Sequence, residues 1–147
     1  METQELHRGR LVDHIQLVVK DIAASKRFYR AVFEVLKIPL GGEADDHIWA
    51  DELFISNKES DAALGQLTGR VHIAFQGKSR DVVDRFYQAA IASGGKDFGP
   101  PGERKYHPGY YGAFVLDPDG NNLEVVYHGP AKYSAESVKV TFESPKP

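Results

Sequence analysis

Apolar and polar positions alternate along "LVDHIQLVV", residues 11–19, and then switch to a three-to-four spacing over Ile22, Ser25, Phe28, Tyr29, Val32 and Leu36. The first period belongs to a strand and the second to a helix. Asp21 stands where a helix N-cap is needed, and Pro39 stops the helix. The same switch recurs 58 residues later. There "RVHIAF" is the strand, Ser79 the cap, and Val82, Val83, Phe86, Ala90 and Ile91 the expected buried stripe, which Gly94-Gly95 ends. With His14 set against His72, seven of the eighteen positions from 14 to 31 are identical. Chance at ordinary composition gives about one. A repeat of this kind is one supersecondary unit used twice, and two copies close on each other rather than stack as a solenoid.

Strand-like sequence follows each helix. In the second copy "YYGAFVL" and "NNLEVVY" flank "DPDG", a tight-turn signal. The proline- and glycine-rich "FGPPGERKYHPG" before them reads as a loop. In the first copy "GEADDHIWA" and "DELFISN" are the equivalent strands, and "SVKVTFESPKP" supplies one added strand with a frayed tail. Each module therefore reads β-α-β-β-β. The whole is one α+β domain over residues 1–147: a first module at about 10–57, a connector at 58–69, a second module at about 70–130 and a tail at 131–147.

Composition narrows the chemistry. The net charge of −3 leaves no basic footprint for nucleic acid. There is no cysteine, which removes disulfides, thiolate metal sites and thiol nucleophiles and suits a cytoplasmic protein. "METQELHRGR" lacks the apolar run of a secretory leader, and no stretch approaches the ~20 apolar residues of a membrane span.

His14 and His72 occupy matching positions and lie on the strand face opposite the apolar sets Ile15/Leu17 and Ile73/Phe75. Two equivalent imidazoles in a pseudo-twofold pair of modules can converge as the start of a metal site. The alternative is a pair of hydrogen-bonded sheet histidines. Glu124, amid Leu123, Val125 and Val126, is a carboxylate that is costly to bury unless paired or ligated. Two histidines and one carboxylate suit Fe(II), Mn(II), Ni(II), Co(II) or Zn(II). His128 faces the same side as Glu124 and is a reserve ligand, whereas His7 and His47 are read as non-ligands.

"DHIQLVVKDIAASKRFYRAVF", "HIAFQGKSRDVVDRFYQAA" and above all "YHPGYYGAFVLDPDGNNLEVVYHG" resemble the vicinal oxygen chelate superfamily, over nearly all of residues 10–130. That superfamily includes glyoxalase I, the fosfomycin-resistance transferases, the extradiol dioxygenases and the bleomycin-resistance proteins. The resemblance implies a half-open mixed β-barrel with helices outside. It also implies a divalent metal held by His14, His72 and Glu124. A fourth ligand usual in glyoxalase I would come from the last strand of the first module, where Phe54 stands, with Glu52 two residues earlier as a substitute. Relatives build the metal cup within one chain or between two chains that exchange modules, and a homodimer is the expectation here. The implied activity is metal-dependent lyase, transferase or ring-cleaving dioxygenase chemistry on a small molecule with neighbouring oxygens. The alternative is a metal-free binding protein of the bleomycin-resistance kind. Around the metal, His107 and Tyr111 are the candidate catalytic groups, and Arg104, Tyr106 and Trp49 the candidate substrate contacts.

Overall fold

The computed structural model of the protein describes residues 1–63 and 65–146. The first strand, β1 (Glu2–Arg8), is followed by the first module: β2 (Ile15–Val18), α1 (Ile22–Leu36), β3 (Gly42–Ala44), β4 (His47–Ala50) and β5 (Leu53–Ser56). The second module is β6 (His72–Gln76), α2 (Arg80–Ala92), β7 (Lys96–Glu103), β8 (Tyr111–Leu116) and β9 (Asn122–Tyr127), and β10 (Val138–Ser144) closes the chain. The modules form two four-stranded mixed sheets of matching order, β2-β5-β4-β3 and β6-β9-β8-β7. In each, the first strand runs parallel to the last and lies at the sheet edge. The α+β class and the doubled β-α-β-β-β order therefore stand as the periodicity predicts.

Both helices start at the expected caps. The Asp21 carboxylate accepts from the Ala24 amide and the Ser79 hydroxyl from the Val82 amide, both at 3.1 Å. Each cap satisfies an N–H that the first helical turn leaves free. Helix α1 buries Ser25, Phe28, Tyr29, Val32 and Phe33; α2 buries Val83, Phe86 and Ala90. Ile91, expected in that stripe, is instead 39% exposed. It falls on the side of α2 that neither the sheet nor α1 covers.

The helices pack on each other, and each also covers its own sheet, α1 on β4 and β5 and α2 on β7, β8 and β9. Leu17, Ile48 and Ile55 of the first sheet share one core with Val115, Leu123 and Val125 of the second. Phe75 of β6 joins them, edge-on to Phe33 of α1 at 6.3 Å and tilted against Phe86 of α2 at 5.7 Å. This shared core has a consequence for the site. The helix-covered faces of both sheets turn inward, so the faces that carry His14 and His72 turn away from it.

A second tie joins the modules. The Tyr29 hydroxyl donates to Asp117 Oδ2 at 2.5 Å, linking α1 to the hairpin turn after β8. Burial beside that carboxylate holds the Tyr29 phenol well above the ordinary tyrosine range.

One expectation changes and one pairing is added. The stretch read as a loop, residues 98–109, takes in most of β7, whose register slips between Asp97 and Gly99 and again between Gly99 and Gly102. Prolines are tolerated there because β7 is an edge strand with bulges, where a missing N–H breaks no inner ladder. The N-terminal residues pair as β1 with β10, antiparallel from Glu2↔Ser144 to Arg8↔Val138. No local pattern announces a partner so distant along the chain. Among the described residues no helix is long and apolar enough to cross a membrane.

Candidate functional site

Strand register decides which side chains share a face. In the second sheet His72 pairs with Asn122, Ala74 with Glu124 and Phe114 with Glu124. His72, Phe114 and Glu124 thus stand on the face away from α2, while Tyr111, Ala113, Leu123 and Val125 stand on the helix side. Glu124 is only 4% exposed. A carboxylate at that depth requires partners, and it has two. His72 Nε2 lies 3.2 Å from Oε1, and the Tyr110 hydroxyl donates to Oε2.

The proton on His72 follows from its other nitrogen. Nδ1 lies 2.9 Å from the Asn122 carbonyl, which can only accept, so Nδ1 carries the hydrogen. In the neutral ring Nε2 then presents its lone pair toward Glu124 Oε1. Two facing acceptors need a positive charge between or upon them, either a proton on the imidazole or a bound cation. Neighbouring ligands of an ion with bonds of about 2.1 Å stand about 3 Å apart, close to the spacing seen here. Asn122 Oδ1, on the same face, is buried without a hydrogen-bond donor. The donor set therefore fits a divalent cation, with Tyr110 fixing the carboxylate from behind. Burial and the bond to Glu124 raise the Tyr110 phenol far above its ordinary range, so it remains a donor.

The first sheet supplies a matching face. Gln16 pairs with Phe54, Phe54 with Trp49 and Trp49 with Gly42, one row across the sheet. Trp49 stacks on Phe54 with centroids 4.9 Å apart, and His14 meets Phe54 edge-on at 5.3 Å. His14 Nδ1 lies 2.7 Å from Asp13 Oδ1, which leaves Nε2 free. That bond, with Arg8 behind it, holds the Asp13 carboxyl below the usual range. The indole needs the two glycines beside it: a Cβ on Gly41 would lie 2.2 Å from the ring and one on Gly42 2.5 Å. Gly42→Ala is therefore expected to push Trp49, the single tryptophan, off Phe54. A red shift of the emission maximum, with helix content unchanged, checks it; an unmoved spectrum would contradict it.

The structure brings His72 and Glu124 together, and His14 is not with them. Among the described residues no group of three His, Cys, Asp or Glu side chains is placed to hold an ion within one chain. The inward turn of the two helix faces is the physical reason. Glu52, the substitute fourth ligand, lies in the turn between β4 and β5, its carboxylate close to Gly9 and raised by burial above the ordinary range. Tyr111 does not reach this face. Its hydroxyl donates to Asp84 of α2 at 2.7 Å and its ring lies under Arg80, so the tyrosine at the carboxylate is Tyr110. The parity of positions 110, 112 and 114 was the available signal.

His107 does stand at the edge of the site, 2.8 Å from His128 and edge-on to Tyr110. Tyr106 packs on Tyr110 at 4.8 Å and is largely exposed. Arg104 lies over Phe114, but its guanidinium is tied to the Pro100 carbonyl at 2.6 Å. Phe114, which sequence reasoning left as a plain strand residue, stacks beside His72 at 6.1 Å and floors this half of the site.

The family model "Glyoxalase/Bleomycin resistance protein/Dioxygenase superfamily" matches residues 11–125. Among solved structures, a glyoxalase/bleomycin resistance protein from Albidiferax ferrireducens T118 is similar at 27% identity and a TM-score of 0.65, covering 79% of this chain and 97% of its own. A glyoxalase/bleomycin resistance protein/dioxygenase family enzyme from Burkholderia phytofirmans PsJN is similar at 22% identity and 0.61, covering 78% and 95%. A glyoxalase-related enzyme from Fulvimarina pelagi is similar at 19% and 0.67, covering 89% and 97%. No curated protein matches the chain.

Proposed function

Because this chain belongs to the glyoxalase/bleomycin resistance protein/dioxygenase superfamily, we propose that it is a cytoplasmic, divalent-metal-dependent enzyme for a small molecule with neighbouring oxygens. The observation that carries this reading is Nε2 of His72 facing Glu124 Oε1 at 3.2 Å, on a buried carboxylate that Tyr110 orients. A metal-free binding cleft has no use for so costly an arrangement.

The third ligand is His14 of a second copy of the chain. Within one chain the two histidine faces point apart, and β2 and β6 are both sheet edges with backbone groups free to pair. A homodimer that sets the β2 edge of one protomer beside the β6 edge of its partner puts two half-cups face to face. One half brings His14 with the Trp49–Phe54 platform. The other brings His72, Glu124 and Phe114. The aromatic rings on both sides suit a substrate with a flat apolar body, whose neighbouring oxygens would lie toward His72 and Glu124. When bound, the cation supplies Lewis acidity to those oxygens, by lyase, transferase or ring-cleavage chemistry. Phe114 and Trp49 exclude water from the substrate, Arg104 and Tyr106 edge the opening, and the His107 edge of the cup handles protons.

Complementation tests the arrangement. Neither His14→Ala nor His72→Ala protein binds Zn(II) or Ni(II) stoichiometrically. Mixed under exchange conditions, they form heterodimers in which one of the two cups is whole, and cation binding returns to one site per heterodimer. Full binding by either variant alone, or none after mixing of dimers shown to exchange, would sink the reading.

A further inference from the structure

The proton-transfer group at the edge of the cup is fixed by hydrogen-bond logic. His107 Nδ1 lies 2.8 Å from the Pro108 carbonyl, an acceptor only, so that nitrogen carries the hydrogen. In the neutral ring His107 Nε2 is then an acceptor, and at 2.8 Å it must receive the hydrogen of His128 Nδ1. The remaining nitrogen, His128 Nε2, is left without a hydrogen. His107 has both nitrogens engaged; His128 has the free base.

The backbone is built for this contact. Gly109 and Gly129 both adopt left-handed conformations, φ +87° and +80°. They cross so closely that a Cβ on Gly129 would lie 3.2 Å from the Gly109 Cα. That crossing lays the 107–110 loop over the end of β9. The two imidazole planes lie within 19° of each other with centroids 5.1 Å apart, and Tyr110 sits edge-on to both. His128 directly follows β9, and Tyr110, whose hydroxyl donates to Glu124, meets its ring edge-on at 5.4 Å, so the imidazole pair adjoins the donor that orients the carboxylate.

We propose that His128 Nε2 is the atom that accepts a proton from the bound molecule, with His107 as its positioning residue. The assignment of the base rests on the metal-enzyme reading above; the tautomer does not. The molecule would carry an acidic hydroxyl, or a C–H acidified by the neighbouring carbonyl, next to its cation-binding oxygens. The O–H or C–H bond breaks, its electron pair stays on the substrate, and the proton forms a bond to Nε2. No oxidant is involved. The resulting imidazolium keeps its hydrogen bond to His107, which accepts more strongly from a charged donor. The titratable and charged groups around it are Tyr106 and Tyr110 of the same loop, Arg104 at the loop's start and Glu124 behind Tyr110.

Nitrogen-15 NMR of the full-length protein tests this through the tautomer, without a substrate. In the wild type above the titration range, His128 is expected as the Nδ1–H form with a bare Nε2. His107→Gln keeps an acceptor for Nδ1–H and keeps that form. His107→Phe keeps the ring packing but not the acceptor, and shifts His128 toward the Nε2–H form that an unconstrained imidazole favours. A wild-type His128 already in the Nε2–H form, or a His107→Phe spectrum matching that of His107→Gln, overturns the proposal. Zn(II) binding by the same samples reports separately on the metal reading. A locked tautomer without Zn(II) uptake sinks that reading and, with it, the substrate step; Zn(II) uptake with an unlocked tautomer sinks only the role of His128.

Discussion

Glu124→Ala is expected to lower divalent-cation affinity by more than about 100-fold, because even groups behind a ligand are worth 10–100-fold. The substitution removes the buried carboxylate that faces His72 Nε2 and leaves the Tyr110 hydroxyl without its acceptor. Glu124→Gln separates the two effects. Its amide fills the same space and offers Tyr110 one oxygen, but it carries no charge and presents at most one neutral donor atom to the ion. The glutamine variant should therefore fold as well as the wild type and still bind Zn(II), Ni(II) or Mn(II) far more weakly. Calorimetric titration of each metal, with thermal melting of the same samples, checks both halves. Unchanged cation affinity in a folded Glu124→Gln protein would rule out Glu124 as a ligand. If the alanine variant melts lower than the glutamine variant, the difference reports on the orphaned phenol.

The largest stability effect is expected at Asp117. Its Oδ1 accepts from the Asp119 and Asn121 amides at 2.9 and 2.8 Å, and its Oδ2 from the Asn121 side chain at 2.8 Å and Tyr29 at 2.5 Å. The residue is 4% exposed, and Asn121 and Tyr29, which supply three of the four donors, are buried with it. Hydrogen bonds to a charged acceptor contribute about 1.5–3 kcal/mol each, and unsatisfied buried donors cost about 1–3. The effects overlap, and Asp117→Ala should cost about 3–5 kcal/mol overall. That is a large share of the ~5–15 kcal/mol that separates a typical domain from its unfolded chain. Tyr29→Phe removes one donor and leaves the turn closed, so it should cost only about 1.5–3 kcal/mol. Urea unfolding monitored by circular dichroism measures both. Equal losses would mean that the turn bonds contribute nothing beyond the Tyr29 tie; an unmoved midpoint for Asp117→Ala would refute the account.

Local pattern is sufficient for what local physics governs. The periods of the two strand–helix pairs, the Asp21 and Ser79 caps and the DPDG turn are each set by neighbours a few residues away, and each appears where the pattern puts it. The duplication itself is legible for the same reason. His72 and Glu124 belong together because β6 and β9 are the parallel edge pair of one module, and the repeat fixes that module's order.

What failed depended on distance or on surroundings. β1 needs β10 as its partner, and the edge strand β7 is hidden under prolines and glycines that only its place in the sheet makes tolerable. Tyr110 and Tyr111 are adjacent in the chain, but the pleat sends one to Glu124 and the other to Asp84. His107 reaches His128 only because the 107–110 loop crosses over the end of β9. His14 parts from His72 because the two helices pack against each other. The sequence by itself determined the two modules, their caps and turns, and the residue types that could hold a cation, since these follow from periodicity and side-chain chemistry. Only the tertiary structure decided which way the His14 and His72 faces turn, because that orientation is set by burying both helices in one core, a choice made by surfaces rather than by any single stretch of chain.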